Sequence, residues 1–345
     1  MDNVFNVRRP NFIIFTDKDG TLDLEDKKLN NIFNLIISMN GMVIPITGRT
    51  VGDILESLKN NDLKIPEIVV GDNGANVYST SQNKFLIRKC LDIEKIKEAI
   101  KKFYELGGKE ENIRLTDGAN IYAIDNPDVK NYYKKSNSVK YFESIDMALE
   151  NMPEITKLTL AGTKEQMQQM AEYSDILDFW TDMGSTKFPV RDQKNYRLDM
   201  ADKNINKGEA VRMITSVLKP QYGYICIGNG ENDIPMFKQA IDDNMFVGVM
   251  GESPEHVKNE INDYANNANK GKVKVIPKDK NRANRYMQIF AKLFEQYSKE
   301  SHKNMINKKS RKNFVDSLKF SPSTLDSNQQ KISTYRKIPP HHGNR

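Results

Sequence analysis

Three short apolar runs, NFIIFT (11–16), MVIPIT (42–47) and EIVVGDNG (67–74), follow one another closely, and each ends in polar, turn-forming residues. Between the first two, residues 27–40 carry Leu29, Ile32, Phe33, Ile36 and Ile37 at helical spacing, with Gly41 read as the stop. Between the second and third, VGDILESLKN (51–60) reads as another helix. A β-α-β-α-β alternation this tight predicts an α/β fold: a doubly wound parallel sheet with helices on both faces.

From about residue 80 to 195 the pattern changes. Short strands are expected at 84–89, 120–125, 155–162 and 176–182, interleaved with helices at 93–106, 144–152 and 164–173. This predicts an α+β unit inserted into the first domain. The doubly wound pattern then resumes with a helix at 207–218, a strand at 222–228, a helix at 232–240 and a strand at 245–250, closed by a helix at 281–299. The expected division is a core over 1–79 and 196–299, the insert over 80–195, and a separate tail over 300–345.

Charge matters mainly for that tail. Residues 301–345 hold ten Lys or Arg against Asp316 and Asp326, a charge of +8 out of a whole-chain +6, so residues 1–300 carry only −2. The globular part is therefore nearly neutral, which removes the main argument for a nucleic-acid-binding body, and no nucleic acid is expected to be needed for activity. The tail's basic residues suit an acidic partner or a membrane surface, and its composition predicts disorder. Two distant cysteines, Cys90 and Cys226, make neither a disulfide framework nor a zinc knuckle. No apolar run reaches the ~18 residues of a membrane span, and the N-terminus lacks a secretory h-region. A cytoplasmic protein is expected. The sequence leaves the oligomeric state open.

The chemistry-bearing residues fall in loops that the predicted topology brings to one end of the sheet. The first strand leads into Asp17-Lys18-Asp19-Gly20-Thr21, the second into Thr47-Gly48-Arg49, and the strand after the insert into Gly228-Asn229-Gly230-Glu231-Asn232-Asp233. Lys207 opens the helix between them. Two carboxylates, a hydroxyl, a lysine and a further polar cluster are what phosphoryl transfer requires. One Asp attacks phosphorus, cations neutralise the equatorial oxygens, and a second carboxyl group manages the proton.

These residues resemble the haloacid dehalogenase (HAD) superfamily, whose DxDGT, Ser/Thr, Lys and GDxxND motifs recur here in order over about 11–299. NGANVY (73–78) and RLDMADKNINKGEAV (197–211) look like its Cof-type, C2-capped (IIB) branch. The resemblance implies a Mg²⁺-dependent phosphatase with Asp17 as nucleophile and Asp19 as acid/base. It also implies that Thr47 binds the phosphoryl group and that Lys207 stabilises it. Metal ligands would be Asp17, the Asp19 carbonyl and Asn229, with Asp233 contributing directly or through water. Gly48, Arg49, Asn73, Gly74 and Asn232 are the matching substrate-side candidates. Two departures stand out. Lys18 takes DKDGT halfway to the DKTGT of P-type ATPases, but the carboxylate at 19 and the lack of membrane spans decide for hydrolysis. Asn229 stands where a metal-binding Asp is usual, which removes a charge from the metal.

Several residues keep two readings. Asn73-Gly74 is equally a tight-turn dipeptide and a substrate contact, and Arg49 equally a phosphate contact and a surface ion pair. Only 29 residues separate Asp17 from Thr47, whereas 159 separate Thr47 from Lys207. The insert is thus the sole candidate cap, and an enclosed site implies a small phosphorylated metabolite, a sugar phosphate in the family's pattern. Asp117, Asp182 and Lys187 are candidate cap specificity residues. A phosphotransferase or mutase on the same fold, and a non-enzymatic binding protein, remain as alternatives.

Overall fold

Strand β1 (Phe12–Thr16) is buried along its whole length, as an uninterrupted apolar run should be inside a parallel sheet. After it come α1 (Lys28–Ser38), β2 (Gly41–Pro45), α2 (Val51–Asn60), β3 (Ile68–Gly71), β4 (Asn76–Ser79) and β5 (Lys84–Arg88). The insert supplies α3 (Ile93–Glu105), β6 (Ile113–Thr116), β7 (Ile121–Ile124), α4 (Pro127–Tyr133) and β8 (Val139–Phe142). It continues with α5 (Ile145–Asn151), β9 (Lys157–Gly162), α6 (Lys164–Ile176), β10 (Phe179–Thr186) and β11 (Asn195–Asp202). The chain returns through α7 (Lys207–Leu218), β12 (Tyr224–Gly228), α8 (Ile234–Asp242), β13 (Phe246–Met250), α9 (Glu255–Ala268) and β14 (Lys272–Ile276). This computed structural model describes residues 8–22, 28–62, 64, 66–152, 154–189, 195–268 and 272–276. All of them fall in the first of two units, 1–285. The helix expected at 281–299 and the tail 300–345 lie outside the described residues.

Five strands form a parallel sheet in the order β14-β13-β12-β1-β2. Ile13, Phe15, Ile44, Cys226, Val247 and Val249 pack on one face against Ala210, Ile214, Phe237 and Val257 of α7, α8 and α9. Each Ile, Val or Phe among them stabilises the fold by about 1.5–3 kcal/mol when fully buried. The α/β architecture expected from the alternation is present, with three local differences. The left-handed residue ending the α1 turn is Asn40 (φ 57°), while Gly41 starts β2 with Phe12 and Ile36 crowding it. β3 meets the parallel sheet only through the Ile46–Val70 bridge and pairs antiparallel with β4, which pairs with β5. The strand at 84–88 therefore belongs to this hairpin sheet, because Leu86 and Ile87 pack on the first core rather than inside the insert. The strand expected at 176–182 starts at Phe179, since α6 runs on to Ile176.

The six-stranded sheet of the insert runs β10-β11-β9-β6-β7-β8 and is antiparallel except between β7 and β8. Its alternation separates two faces. Ile113, Leu115, Leu158, Leu160, Leu198 and Met200 pack against Ile100, Phe103, Leu149 and Met170 of the covering helices. The opposite face carries a row of register partners, Arg114, Thr159, Asp199 and Asp182, one from each of four adjacent strands. A polar sheet face of this kind needs water or a ligand against it.

Candidate active site

Asp17, Thr47 and Asn229 each directly follow or lie just beyond a parallel strand, so the topology alone brings them to one edge. Beneath them lies Lys207, fully buried at the first turn of α7, where Asn206 caps the helix by accepting from the Glu209 N–H at 3.0 Å. The Lys207 Nζ donates to Asp17 Oδ1 and to Asp233 Oδ1, both at 2.6 Å. Asp233, also fully buried, accepts from the Asn229 and Gly230 N–H groups through Oδ2 at 2.8 and 2.9 Å. One ammonium thus faces two carboxylates. Burial pushes the Asp17 carboxyl up to about 7, with Lys207 pulling it down and Asp233 pushing it further up. Lys207 is held protonated by the two carboxylates despite its burial.

The second oxygen of Asp17 looks the other way. One terminal atom of the Asn229 amide lies 3.2 Å from Asp17 Oδ2, 2.9 Å from the Asp19 carbonyl oxygen and 3.1 Å from Thr21 Oγ1. With nitrogen there, the amide donates into this cluster. With oxygen there, it stands 3.2 and 2.9 Å from oxygens of Asp17 and Asp19. Ligands at 2.0–2.1 Å around an octahedral Mg²⁺ stand about 2.9–3.0 Å apart, so the spacing fits a small divalent cation. Among the described residues no three His, Cys, Asp or Glu side chains gather as ligands, and the donors here include an amide and a main-chain carbonyl. The Asp233 oxygens accept from Lys207 and from the 229–230 backbone. Gly20 has φ +81°, and a side chain there would collide with Asn229.

Asp19 turns outward and is gripped by Arg49, whose Nε and Nη2 donate to its two oxygens at 2.7 and 2.9 Å. Burial raises the Asp19 carboxyl, but the Arg49 fork outweighs it and holds the group below the usual carboxylate range. Of the two readings of Arg49, the ion pair is the one present, and Arg49 also lines the cavity. Thr47 is buried and accepts from the Arg49 N–H through Oγ1 at 3.2 Å.

Asp17, Asp19, Thr47, Gly48, Arg49, Asn229 and Asn232 line one cavity of about 690 Å³, roofed by the polar face of the insert sheet. Lys207 and Asp233 lie beneath its floor. Asn73 and Gly74 stand behind the wall, in the β3–β4 connection. Asn73 Oδ1 accepts from Asn232 Nδ2 at 3.1 Å, and Gly74, at φ +112°, lies against the Asn206 carbonyl. Of the cap candidates, Asp182 pairs with Arg197 at 2.9 Å, Asp117 is tied into its own turn by the Ala119 and Asn120 N–H groups, and Lys187 is exposed. None of the three lines the cavity.

Two residues went unread in the sequence. Asp72, fully buried, pairs with Lys157 at 3.1 Å and accepts from Asn76, Thr116 and Thr156 at 2.8–2.9 Å. Lys157 also donates to the Gly48 carbonyl at 2.5 Å. Polar residues two apart within apolar strands, Lys157 and Thr159 or Arg197 and Asp199, are the signal that could have found this face.

A family model for haloacid dehalogenase-like hydrolases matches residues 14–276. Among solved structures, the fold is shared with a Thermotoga maritima protein at 22% identity and TM-score 0.56, covering 78% of this chain and 92% of that one. It is shared with the HAD subclass IIB sugar phosphatase BT4131 at 20% and 0.58, covering 81% and 98%. A Plasmodium vivax protein described as HAD/COF-like matches at 16% and 0.59, covering 84% and 98%. With the family match spanning most of the chain and the catalytic loops meeting at one sheet edge, this protein belongs to the haloacid dehalogenase-like hydrolases.

Proposed function

We propose that the protein is a Mg²⁺-dependent phosphatase of a small phosphorylated metabolite, in the class of sugar phosphates. The observation that carries this is Asp17, at the cavity floor, with one oxygen on a fully buried lysine and the other facing Asn229 and the Asp19 carbonyl. The buried ammonium favours the carboxylate form and leaves it aimed at whatever fills the cavity. The cavity volume and the roof formed by the insert support a small substrate, and the likeness to a sugar phosphatase supports the class.

In this reading a carboxylate oxygen of Asp17 attacks phosphorus and the ester P–O bond breaks. The leaving oxygen takes a proton from Asp19. Asp19 then accepts a proton from water as that water attacks the aspartyl-phosphate, and the P–O bond to Asp17 breaks to release phosphate. Thr47 Oγ1 and Lys207 Nζ hold the phosphoryl oxygens, and the substrate phosphate competes with Asp19 for Arg49, freeing the Asp19 carboxyl to act as an acid. Asp17, the Asp19 carbonyl and Asn229 are the residues that would hold Mg²⁺. The bound cation supplies charge neutralisation for the phosphoryl oxygens.

Purified full-length protein should release phosphate from at least one member of a phosphomonoester panel, and chelation of divalent cations should stop it. No release from any ester would contradict the proposal, and isomer formation from hexose phosphates would move it to a transferase.

A further inference from the structure

Five cations line the cavity, and four are accounted for. Arg49 is paired with Asp19, Lys157 with Asp72, and Arg197 with both Asp182 and Asp199 at 2.9 and 2.6 Å. Lys135 is exposed at the rim and solvated. Arg114 is different. It lies on the roof, in the row with Thr159 and Asp199, and no carboxylate among the described residues pairs with it.

Its guanidinium is nonetheless fixed. The Nη1 donates to the Tyr133 hydroxyl at 2.8 Å, and its central carbon stands 4.3 Å from the Phe188 ring centroid. Tyr133 and Phe188 are themselves buried and packed together with Val129 of α4. Nε is buried with no hydrogen-bond partner among the described residues. Arginine carries five N–H donors in a rigid fork, and here one of them is used. The Asp199 carboxylate nearby helps keep the guanidinium charged, but among the described residues no carboxylate touches it and its buried Nε has no acceptor, which is costly. Its planar, pre-set geometry suits bidentate recognition of an oxyanion. The nearest acid in its row, Asp199, is already committed to Arg197 and to the Thr159 hydroxyl at 2.5 Å. The acids on the opposite wall are occupied too: Asp53 accepts from Ser138 at 2.7 Å, and Glu56 from Asn137.

We propose that Arg114 forms a second anion site in the roof of the cavity, so that the substrate is a phosphate ester carrying a further anionic group, a phosphate or a carboxylate, at its far end. This rests on the phosphatase reading. The ester phosphate sits at Asp17 while the distal oxyanion accepts from the guanidinium donors of Arg114 that Tyr133 leaves unused, and the neutral middle of the metabolite spans the cavity.

The test compares matched esters on the full-length protein with Mg²⁺: a sugar bisphosphate, a phosphorylated hydroxy acid, and neutral monophosphates of the same size. At least one distal-anion ester should have kcat/KM about ten- to hundredfold above its neutral counterpart, as expected for charge-assisted hydrogen bonds. Whichever arm responds identifies phosphate or carboxylate. The ratio should collapse toward one in Arg114→Gln. In the parent protein, without any substitution, the preference should also weaken as ionic strength rises. Equal kcat/KM for charged and neutral esters would overturn the proposal, as would a preference that survives Arg114→Gln or that ignores salt. Failure of the phosphatase reading looks different, because then no ester, neutral or charged, releases phosphate.

Discussion

The charge balance around Asp17 is the decisive feature at the scale of single residues. Lys207 offsets one carboxylate, and Asp233 uses its share of that ammonium together with two backbone N–H groups. Asp17 is left in surplus, which is why burial drives its carboxyl up to about 7. A divalent cation requires the ionised form. Mg²⁺ affinity should therefore rise with pH through that value, because below it a proton must be displaced. Calorimetric titration on either side of neutrality checks this, and pH-independent affinity would contradict it. In the proposed metal site, Asn229 leaves the cation one charge short of what an Asp there would give. Asn229→Asp should tighten half-saturation by Mg²⁺ and lower the melting temperature of the metal-free protein, where a third carboxylate joins Asp17 and Asp233 on a single ammonium. An unchanged or weaker half-saturation would remove position 229 from the metal.

At the scale of elements, α7 is the part that must be placed accurately, since its first residue carries the buried amine. The β3–β4 connection sets that placement. Gly74 stands at φ +112°, and an added Cβ would lie 2.6 Å from the Asn206 carbonyl, at the cap of α7. Gly74→Ala should cost about 1–3 kcal/mol through backbone strain and should lower kcat by shifting Lys207. Urea denaturation beside steady-state kinetics reads both, and a variant with parental midpoint and kcat would contradict the placement. The helices α2 and α7 and the strands β1, β12 and β13 were legible because each is a long periodic or purely apolar run between turn residues. The short strands β6 and β8 and the helix α4 were not, because four to seven residues of mixed polarity carry no readable period. Asp72 was missed for another reason: beside Asn73-Gly74 it reads as one more turn residue, and its partners at 116, 156 and 157 come from strands that only the fold brings near.

Across the whole molecule, a buried polar cluster ties the insert to the β3–β4 hairpin and to the loop after β2. Asp72 and Asn76 meet Thr116, Thr156 and Lys157 of the insert, and Lys157 reaches back to the Gly48 carbonyl. Asp72→Asn leaves the Lys157 charge buried without its partner, a change that costs about 3–5 kcal/mol where such pairs have been broken. A denaturation midpoint equal to the parent's would contradict this role. The meeting of the loops that carry Asp17, Thr47 and Asn229 was readable from motif order alone, whereas the charged roof depends on pairing between strands far apart in the chain. The account as a whole turns on Asp17 attacking phosphorus. An acid-quenched single turnover with labelled ester tests it most directly. The label should appear on the peptide containing Asp17, should form and decay more slowly in Asp19→Ala, where turnover falls ~10²–10⁴-fold, and should be absent from an inactive Asp17→Asn. Turnover in Asp17→Asn, or label on any other residue, would contradict the account.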